Sequence, residues 1–255
     1  MPRPQGRSRR LRQVCFTLYL MLGAVPAVAE LHPRAPDFAA KYEAFTMILG
    51  PTRRIVYGTY RGTLHLMETR DGKLVEVVTR DLWSPVIKML GVDLDGDGQD
   101  EIIGFTQNAR LFVLRGNDLA DIWNTQEGFF KQILSLTAAD VDEDGQIELV
   151  MVADQRLRVY SGLRDTVEWI STRPFTDADI EIGDVDGDGN MEIVLLSGLV
   201  LDTLFRQEEW RYDPGFGVEI DLFDIDSDGK LEIISVGADG LIRVFDVDER
   251  RVKWN

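Results

Sequence analysis

An all-β fold, a β-propeller of five blades with about four antiparallel strands each, follows from three features of the sequence. A nine-residue acidic segment recurs four times, at Asp93–Glu101, Asp140–Glu148, Asp184–Glu192 and Asp224–Glu232, with starts 47, 44 and 40 residues apart. A near-constant period of this size marks an architecture of stacked supersecondary units. Each segment is followed by short apolar runs between turn residues, with the period-two alternation of strands rather than helices. The residues before the first acidic segment fit the same template. That brings the count to five units of roughly 45 residues, the size of a propeller blade.

The first unit, 42–80, reads as a leading strand at Phe45–Gly50 and three more at Ile55–Tyr60, Thr63–Glu68 and Leu74–Thr79. Arg61-Gly62 and Asp71-Gly72 are the turns between the later strands. Pro51-Thr52-Arg53-Arg54 stands where the other units carry acids, so this unit is expected to bind no metal. The second unit, 85–127, continues from its acidic loop into Ile102-Ile103 and Leu111–Leu114 and closes near Trp123. The third, 129–171, has Leu149–Val152, Leu157–Tyr160 and Trp169 in the same places. The fourth, 175–212, has Ile193–Leu196 and Trp210. The fifth, 216–254, has Ile233-Ile234, Leu241–Phe245 and Trp254, so the sequence reads as five whole units.

The N-terminus reads as an address. Arg3, Arg7, Arg9, Arg10 and Arg12 precede a mostly apolar run, Val14–Val25, and then Ala27-Val28-Ala29. Basic, apolar and small-residue regions in that order make a secretory signal peptide, 1–29, cleaved after Ala29. The apolar run is too short to span a bilayer, which needs about 20 residues. No stable membrane anchor is therefore expected once the signal is removed. Cys15 lacks the preceding pattern of a lipid-anchoring site. Residues 30–41 form a short segment before the propeller at 42–255. The mature chain is expected in the periplasm or outside the cell.

Composition narrows the function. The 255 residues hold 28 Lys and Arg against 44 Asp and Glu, a formal charge of −16 that becomes −21 without the five arginines of the signal. Phosphate binding needs a basic surface, so a nucleic-acid partner is excluded. One cysteine and two histidines exclude a disulfide scaffold and a Cys/His zinc site.

The acidic segments explain the charge. Counted from the first aspartate, each has acids at positions 1, 3, 5 and 9 and glycine at position 6, which permits a sharp bend. Alternate oxygen side chains around a tight turn are the pattern of a calcium loop, and no soft ligand is present. Four acids in nine residues repel one another unless a cation neutralises them. An EF-hand is excluded, because it needs Glu at position 12 and flanking helices. Position 12 here is Gly104, Met151, Leu195 and Ser235, and the flanks are strands.

The loops, the strand after each, and Phe216-Gly217 ahead of Asp224 resemble the FG-GAP or VCBS repeats of integrin-type β-propellers. The resemblance covers 42–254. It implies a loop between the first and second strands of each blade that binds calcium through the acids at 1, 3, 5 and 9 and the carbonyl at 7. The first site would be Asp93, Asp95, Asp97, Gln99 and Glu101, and the second Asp140, Asp142, Asp144, Gln146 and Glu148. The third would be Asp184, Asp186, Asp188, Asn190 and Glu192, and the fourth Asp224, Asp226, Asp228, Lys230 and Glu232. Up to four Ca2+ ions follow. Integrin-type propellers have seven blades where five are counted here, and the Gly-Ala-Pro half of the motif is reduced to Val236-Gly237-Ala238.

Other residues are candidates for chemistry. Trp83, Phe129, Phe130, Phe175 and Phe216 precede the leading strands, either as wedges between blades or as a sugar-binding face. His32 lies beside the cleavage point and His65 on a strand. Asp177, Asp179 and Glu181 form an extra acidic run, which a glycan-active enzyme would need at catalytic spacing. No nucleophile elbow, phosphate loop or zinc-helix motif occurs. The sequence reads as a secreted, calcium-stabilised, non-catalytic module that binds a protein partner in adhesion or interaction. A lectin-like propeller that binds glycan is the alternative.

Overall fold

The computed structural model describes residues 54–254 in full and, before them, the backbone of two strands, β1 (Phe16–Thr17) and β2 (Ala44–Leu49). The expected signal peptide apart from Phe16 and Thr17, the segment 30–41 and His32 lie outside the described residues.

The strands form five antiparallel sheets, each ordered as the chain runs. The first sheet is β1, β2, β3 (Arg54–Thr59), β4 (Thr63–Arg70) and β5 (Lys73–Asp81). Here β1 adds a two-residue ladder to β2, and β2–β5 make the four-stranded blade. The second is β6 (Val86–Val92), β7 (Glu101–Thr106), β8 (Leu111–Leu114) and β9 (Asp121–Asn124). The third is β10 (Ile133–Ala139), β11 (Glu148–Ala153), β12 (Arg156–Ser161) and β13 (Val167–Ile170). The fourth is β14 (Ile180–Gly183), β15 (Glu192–Leu195), β16 (Leu199–Asp202) and β17 (Glu208–Arg211). The fifth is β18 (Glu219–Phe223), β19 (Glu232–Val236), β20 (Ile242–Asp246) and β21 (Arg251–Trp254). These are the blades of a β-propeller, and each acidic loop joins the first strand of its blade to the second.

The described residues fall into two compact units, one running up to Gln107 with Leu114–Ala120, and the other Asn108–Val113 with the residues from Asp121 onward. In the first, Val56, Leu64, Leu66, Val86, Met89 and Ile103 are buried. In the second, the core shows why the middle strands are nearly all apolar. Ile193, Leu195, Leu199 and Leu201 of blade four pack with Val150, Val152, Leu157 and Val159 of blade three. The alternate residues Val194 and Val200 pack with Ile220, Ile233 and Phe245 of blade five. A strand covered on both faces has no solvent side, so it reads as a continuous apolar run, and the alternation expected for the third strands is lost in β8 and β16.

The fourth strands carry a register slip. Val159 faces Trp169 while Tyr160 faces Val167, Val200 faces Trp210 while Leu201 faces Glu208, and Val244 faces Trp254 while Phe245 faces Val252. The residue skipped is Glu168, Glu209 and Lys253 in turn. A β-bulge of this kind turns the extra side chain out of the ladder's alternation.

Two turns depend on backbone freedom. Gly217 of the Phe-Gly pair has φ +122°, and a Cβ there would stand 2.2 Å from the Val236 carbonyl oxygen, so only glycine fits. Its neighbour Phe216 is buried against Tyr212, Trp210 and Phe245. Position 4 of the acidic loops is left-handed in all four copies: Gly96 (φ 76°), Glu143 (61°), Gly187 (79°) and Ser227 (65°). Side chains at Glu143 and Ser227 strain that conformation. Glu143→Gly is expected to stabilise the protein by about 0.5 kcal/mol in urea unfolding, the relief of strain exceeding the added entropy of the unfolded chain.

Candidate metal centres

Each acidic loop is a set of Asx turns closed by one glutamate. Position 9 is the first residue of the second strand, opposite the last residues of the first strand: Val92 faces Glu101, Ala139 faces Glu148, Gly183 faces Glu192 and Phe223 faces Glu232. That register folds the glutamate back under the loop. Its Oε2 accepts the amide of position 2, Leu94 at 2.9 Å, Val141 at 3.0 Å, Val185 at 2.9 Å and Ile225 at 2.9 Å. All four glutamates are buried. The aspartate at position 1 accepts the amide of glycine 6 through Oδ2 in every copy, at 3.0 to 3.2 Å. Glycine 6 is left-handed throughout: Gly98 (φ 85°), Gly145 (87°), Gly189 (98°) and Gly229 (97°).

This scaffold brings the carboxylates of positions 1, 3 and 9 together. Asp93, Asp95 and Glu101 each offer an oxygen within 4.8 Å of the others, as do Asp140, Asp142 and Glu148; Asp184, Asp186 and Glu192; and Asp224, Asp226 and Glu232. The carboxylates at position 5 turn to the backbone. Asp97, Asp144, Asp188 and Asp228 accept the amide of position 7 at 2.7 to 2.9 Å. The side-chain amides of Gln99, Gln146 and Asn190 bond the second oxygen of the same aspartates. Lys230 reaches elsewhere, to Asp248 at 2.5 Å.

The donor set fits a hard cation. It is all carboxylate, it is crowded, and in blade four it is incomplete without one. Glu192 is 0 % exposed, and its Oε1 is buried with no hydrogen-bond partner. A buried carboxylate oxygen left unpaired is costly, so such a group is paired or coordinates a metal. Without a cation, burial drives the carboxyl of Glu192 up to about 8 and that of Glu148 to about 7, with loop aspartates adding to both. Burial also raises Glu101, with Asp93, Asp95 and Asp97 adding to it.

Three further residues face the loops, and the reading of the sequence had missed them. Glu168 feels Asp142 and Asp144, and Glu209 feels Asp186 and Asp188; burial first and these aspartates next raise both carboxyls. Lys253 bonds Asp226 at 2.7 Å and Glu232 at 3.3 Å. All three are the bulged residues, and each stands directly before the tryptophan that ends its blade, which is the signal that could have found them. In blade one, Arg54 begins the second strand, where the other blades have glutamate, and pairs with Glu68 at 2.8 Å.

The other candidates have structural partners. Asp177 is buried and accepts the amide of Ser197 at 2.7 Å. Asp179 accepts the amides of Ile180 at 3.2 Å and Ile220 at 3.0 Å, the second tying blade four to blade five. Asp177→Ala is expected to cost about 1–3 kcal/mol in urea unfolding, because the Ser197 amide loses its acceptor. His65 stacks on Tyr57 with centroids 4.7 Å apart, and its Nδ1 lies 2.7 Å from Glu76. Phe130, Phe175 and Phe216 are buried, whereas Trp83 is 82 % and Phe129 56 % exposed. Of the closing tryptophans, Trp123 and Trp210 are buried and Trp254 is exposed.

The FG-GAP-like repeat family matches residues 93–151 and 140–195. No curated protein matches the sequence. Among solved structures, the chain is similar to Saccharomyces cerevisiae Sqt1, with TM-score 0.60 and 15 % identity over 83 % of this chain and 62 % of that one. It is similar to BamB from Moraxella catarrhalis, with TM-score 0.52 and 15 % identity over 80 % and 60 %. It also resembles a Bacillus licheniformis rhamnogalacturonan lyase, with TM-score 0.54 and 15 % identity over 82 % of this chain and 50 % of the lyase. The chain thus spans about three fifths of the first two, and likeness at this identity speaks to fold. The chain is a β-propeller protein that carries FG-GAP-like repeats over residues 93–195.

Proposed function

We propose that the protein is a secreted, calcium-stabilised β-propeller that presents a protein-binding surface and performs no catalysis. The observation that carries the calcium reading is the repeated carboxylate triad built on a buried glutamate, with the unpartnered Glu192 oxygen as its sharpest instance. Asp93, Asp95 and Glu101, and their counterparts in later blades, would hold the ion, and the position 5 carboxylates and position 7 carbonyls complete the set that the resemblance implies. Bound calcium supplies charge neutralisation. The chain's own residues do the rest: position 9 fixes the start of the second strand, and the position 1 aspartate holds the bend at glycine 6. The metal therefore orders loops at one end of the blades that carry the triad. Loops ordered on a rigid scaffold are where repeat proteins bind partners.

Titration of the purified protein with Ca2+ by calorimetry tests the metal, and absence of binding at millimolar calcium would sink it. Capture of one specific envelope protein on immobilised chain 30–255, with release by chelator, tests the partner. A glycan reading is favoured by one observation, the exposure of Trp83 and Phe129 just ahead of their leading strands. Recovery of glycan alone, lost in Trp83→Ala, would replace the protein partner with a sugar.

A further inference from the structure

We infer that Lys253 is the built-in cation of the fifth blade's acidic loop, so that this loop takes no calcium and the protein binds three ions rather than four. The inference rests on the calcium reading of the other loops and sets its stoichiometry.

The fifth loop matches the others in its acids, its glycine and the backbone amides of positions 2, 6 and 7 that its carboxylates accept. It differs in what faces the triad. The Lys253 ammonium lies 2.7 Å from Asp226 Oδ2, 3.3 Å from Glu232 Oε1 and 3.7 Å from Asp246 Oδ2. Two of the three triad carboxylates therefore already bond a cation that belongs to the chain. The first distance is that of a charge-assisted hydrogen bond, and the other two oxygens lie within ion-pair range of the same ammonium. A divalent ion held there would stand against the ammonium with little water between them. The side chain is 23 % exposed, so it is held within the cluster rather than resting over it.

The fold explains how Lys253 gets there. It is the bulged residue of β21, left out of the pairing between Val244–Trp254 and Phe245–Val252. The same bulge in β13 and β17 presents Glu168 and Glu209, whose carboxyls feel the aspartates of their own loops. One structural position thus adds a negative charge to the sites of blades three and four and a positive charge to that of blade five. Arg206 and Arg250 also face Glu168 and Glu209, but they lie over the rings of Trp169 and Trp210 rather than among the loop acids. Blade one follows the logic of blade five: Arg54 takes the place of the loop glutamate and pairs with Glu68. The first and last blades neutralise themselves; among the described residues no ammonium or guanidinium is bonded to the triads of the three between them, although Lys230 acts on Asp186 of blade four from a distance.

Native mass spectrometry of the purified full chain in millimolar Ca2+ tests the assignment. Three ions are expected for the wild type and four for Lys253→Gln, the added site being at least about tenfold tighter than any residual binding there in the wild type, as expected for removal of an adjacent positive charge. Asp224→Asn keeps the test open should Lys253→Gln fold poorly. It is expected to leave the count at three, whereas Asp184→Asn lowers it to two. Four ions in the wild type, or loss of one in Asp224→Asn, would overturn the role of Lys253 and leave the calcium reading intact. No bound calcium in any variant would overturn both.

Discussion

Moving the protein from about 1 mM calcium into chelator is expected to lower its melting temperature by about 8–16 °C. Sites with Kd ~10⁻⁴ M, the tight end for extracellular modules, each contribute about 1.4 kcal/mol by mass action. Three such sites give about 4 kcal/mol, and a domain of this size shifts by about 2–4 °C per kcal/mol. The sites are on different blades and share no ligand, so their contributions add. Sodium chloride will not substitute. At physiological ionic strength screening acts over about 8 Å, whereas the triad oxygens lie within 4.8 Å of one another and one carboxylate of each is buried. The loss is also local. Hydrogen exchange in chelator should speed up at 93–101, 140–148 and 184–192, while 224–232, held by Lys253, keeps its protection. A melting temperature that does not move, or uniform loss of protection over all four loops, would contradict this.

Most of the fold was legible because the acidic loop serves as a register mark. Four copies at a period of 40 to 47 residues set the blade size, and the named runs begin within a residue of their strands, although Ile102-Ile103 stops three residues short of the end of β7 and β16 had no named run. The grouping of positions 1 and 9 follows from the loop's span, since the last residues of the first strand pair with the glutamate that begins the second. Three things were not legible. The two faces of β15 pack on different neighbours, so its unbroken apolar run, Ile193–Leu195, carries no sign of which side is which. Trp83 and Phe130 both precede a leading strand, yet one is exposed and the other buried, and Trp83 alone of the two has a left-handed backbone, φ 61°. The bulge residues were hidden for a related reason. A bulge is a slip in pairing between two strands, and Glu168, Glu209 and Lys253 look in sequence like ordinary surface charges on an outer strand.

Glu192→Gln is expected to stabilise the protein in chelator at high pH, and to do so less when calcium is present. The side chain is wholly buried, one oxygen holds the Val185 amide at 2.9 Å, and the other has no protein partner. Glutamine keeps the acceptor for Val185 and removes the charge. In chelator the wild-type carboxyl, raised to about 8 by burial and then by Asp184, Asp186 and Glu209, must hold a proton or bear an uncompensated charge. The unfolded chain releases that proton near pH ~4.5, so between roughly 4.5 and 8 the folded chain binds the extra proton. Wild-type stability in chelator therefore falls as pH rises through this window, and the glutamine variant lacks that contribution. Urea unfolding in chelator should show Glu192→Gln more stable than wild type by about 2–4 kcal/mol at pH 8.5, and within about 1 kcal/mol of it at pH 5. In about 1 mM calcium the variant's lead at pH 8.5 shrinks by about 1.4 kcal/mol, the contribution of one site. The ion keeps the wild-type carboxylate ionised and contributes its binding energy, whereas the variant offers one fewer anionic ligand in blade four. Comparing the two proteins at each pH cancels the carboxylates they share, including Glu148 and Glu101. A variant less stable than wild type in chelator at pH 8.5 would mean that the buried oxygen has a partner other than a cation, and blade four would lose its place among the metal sites.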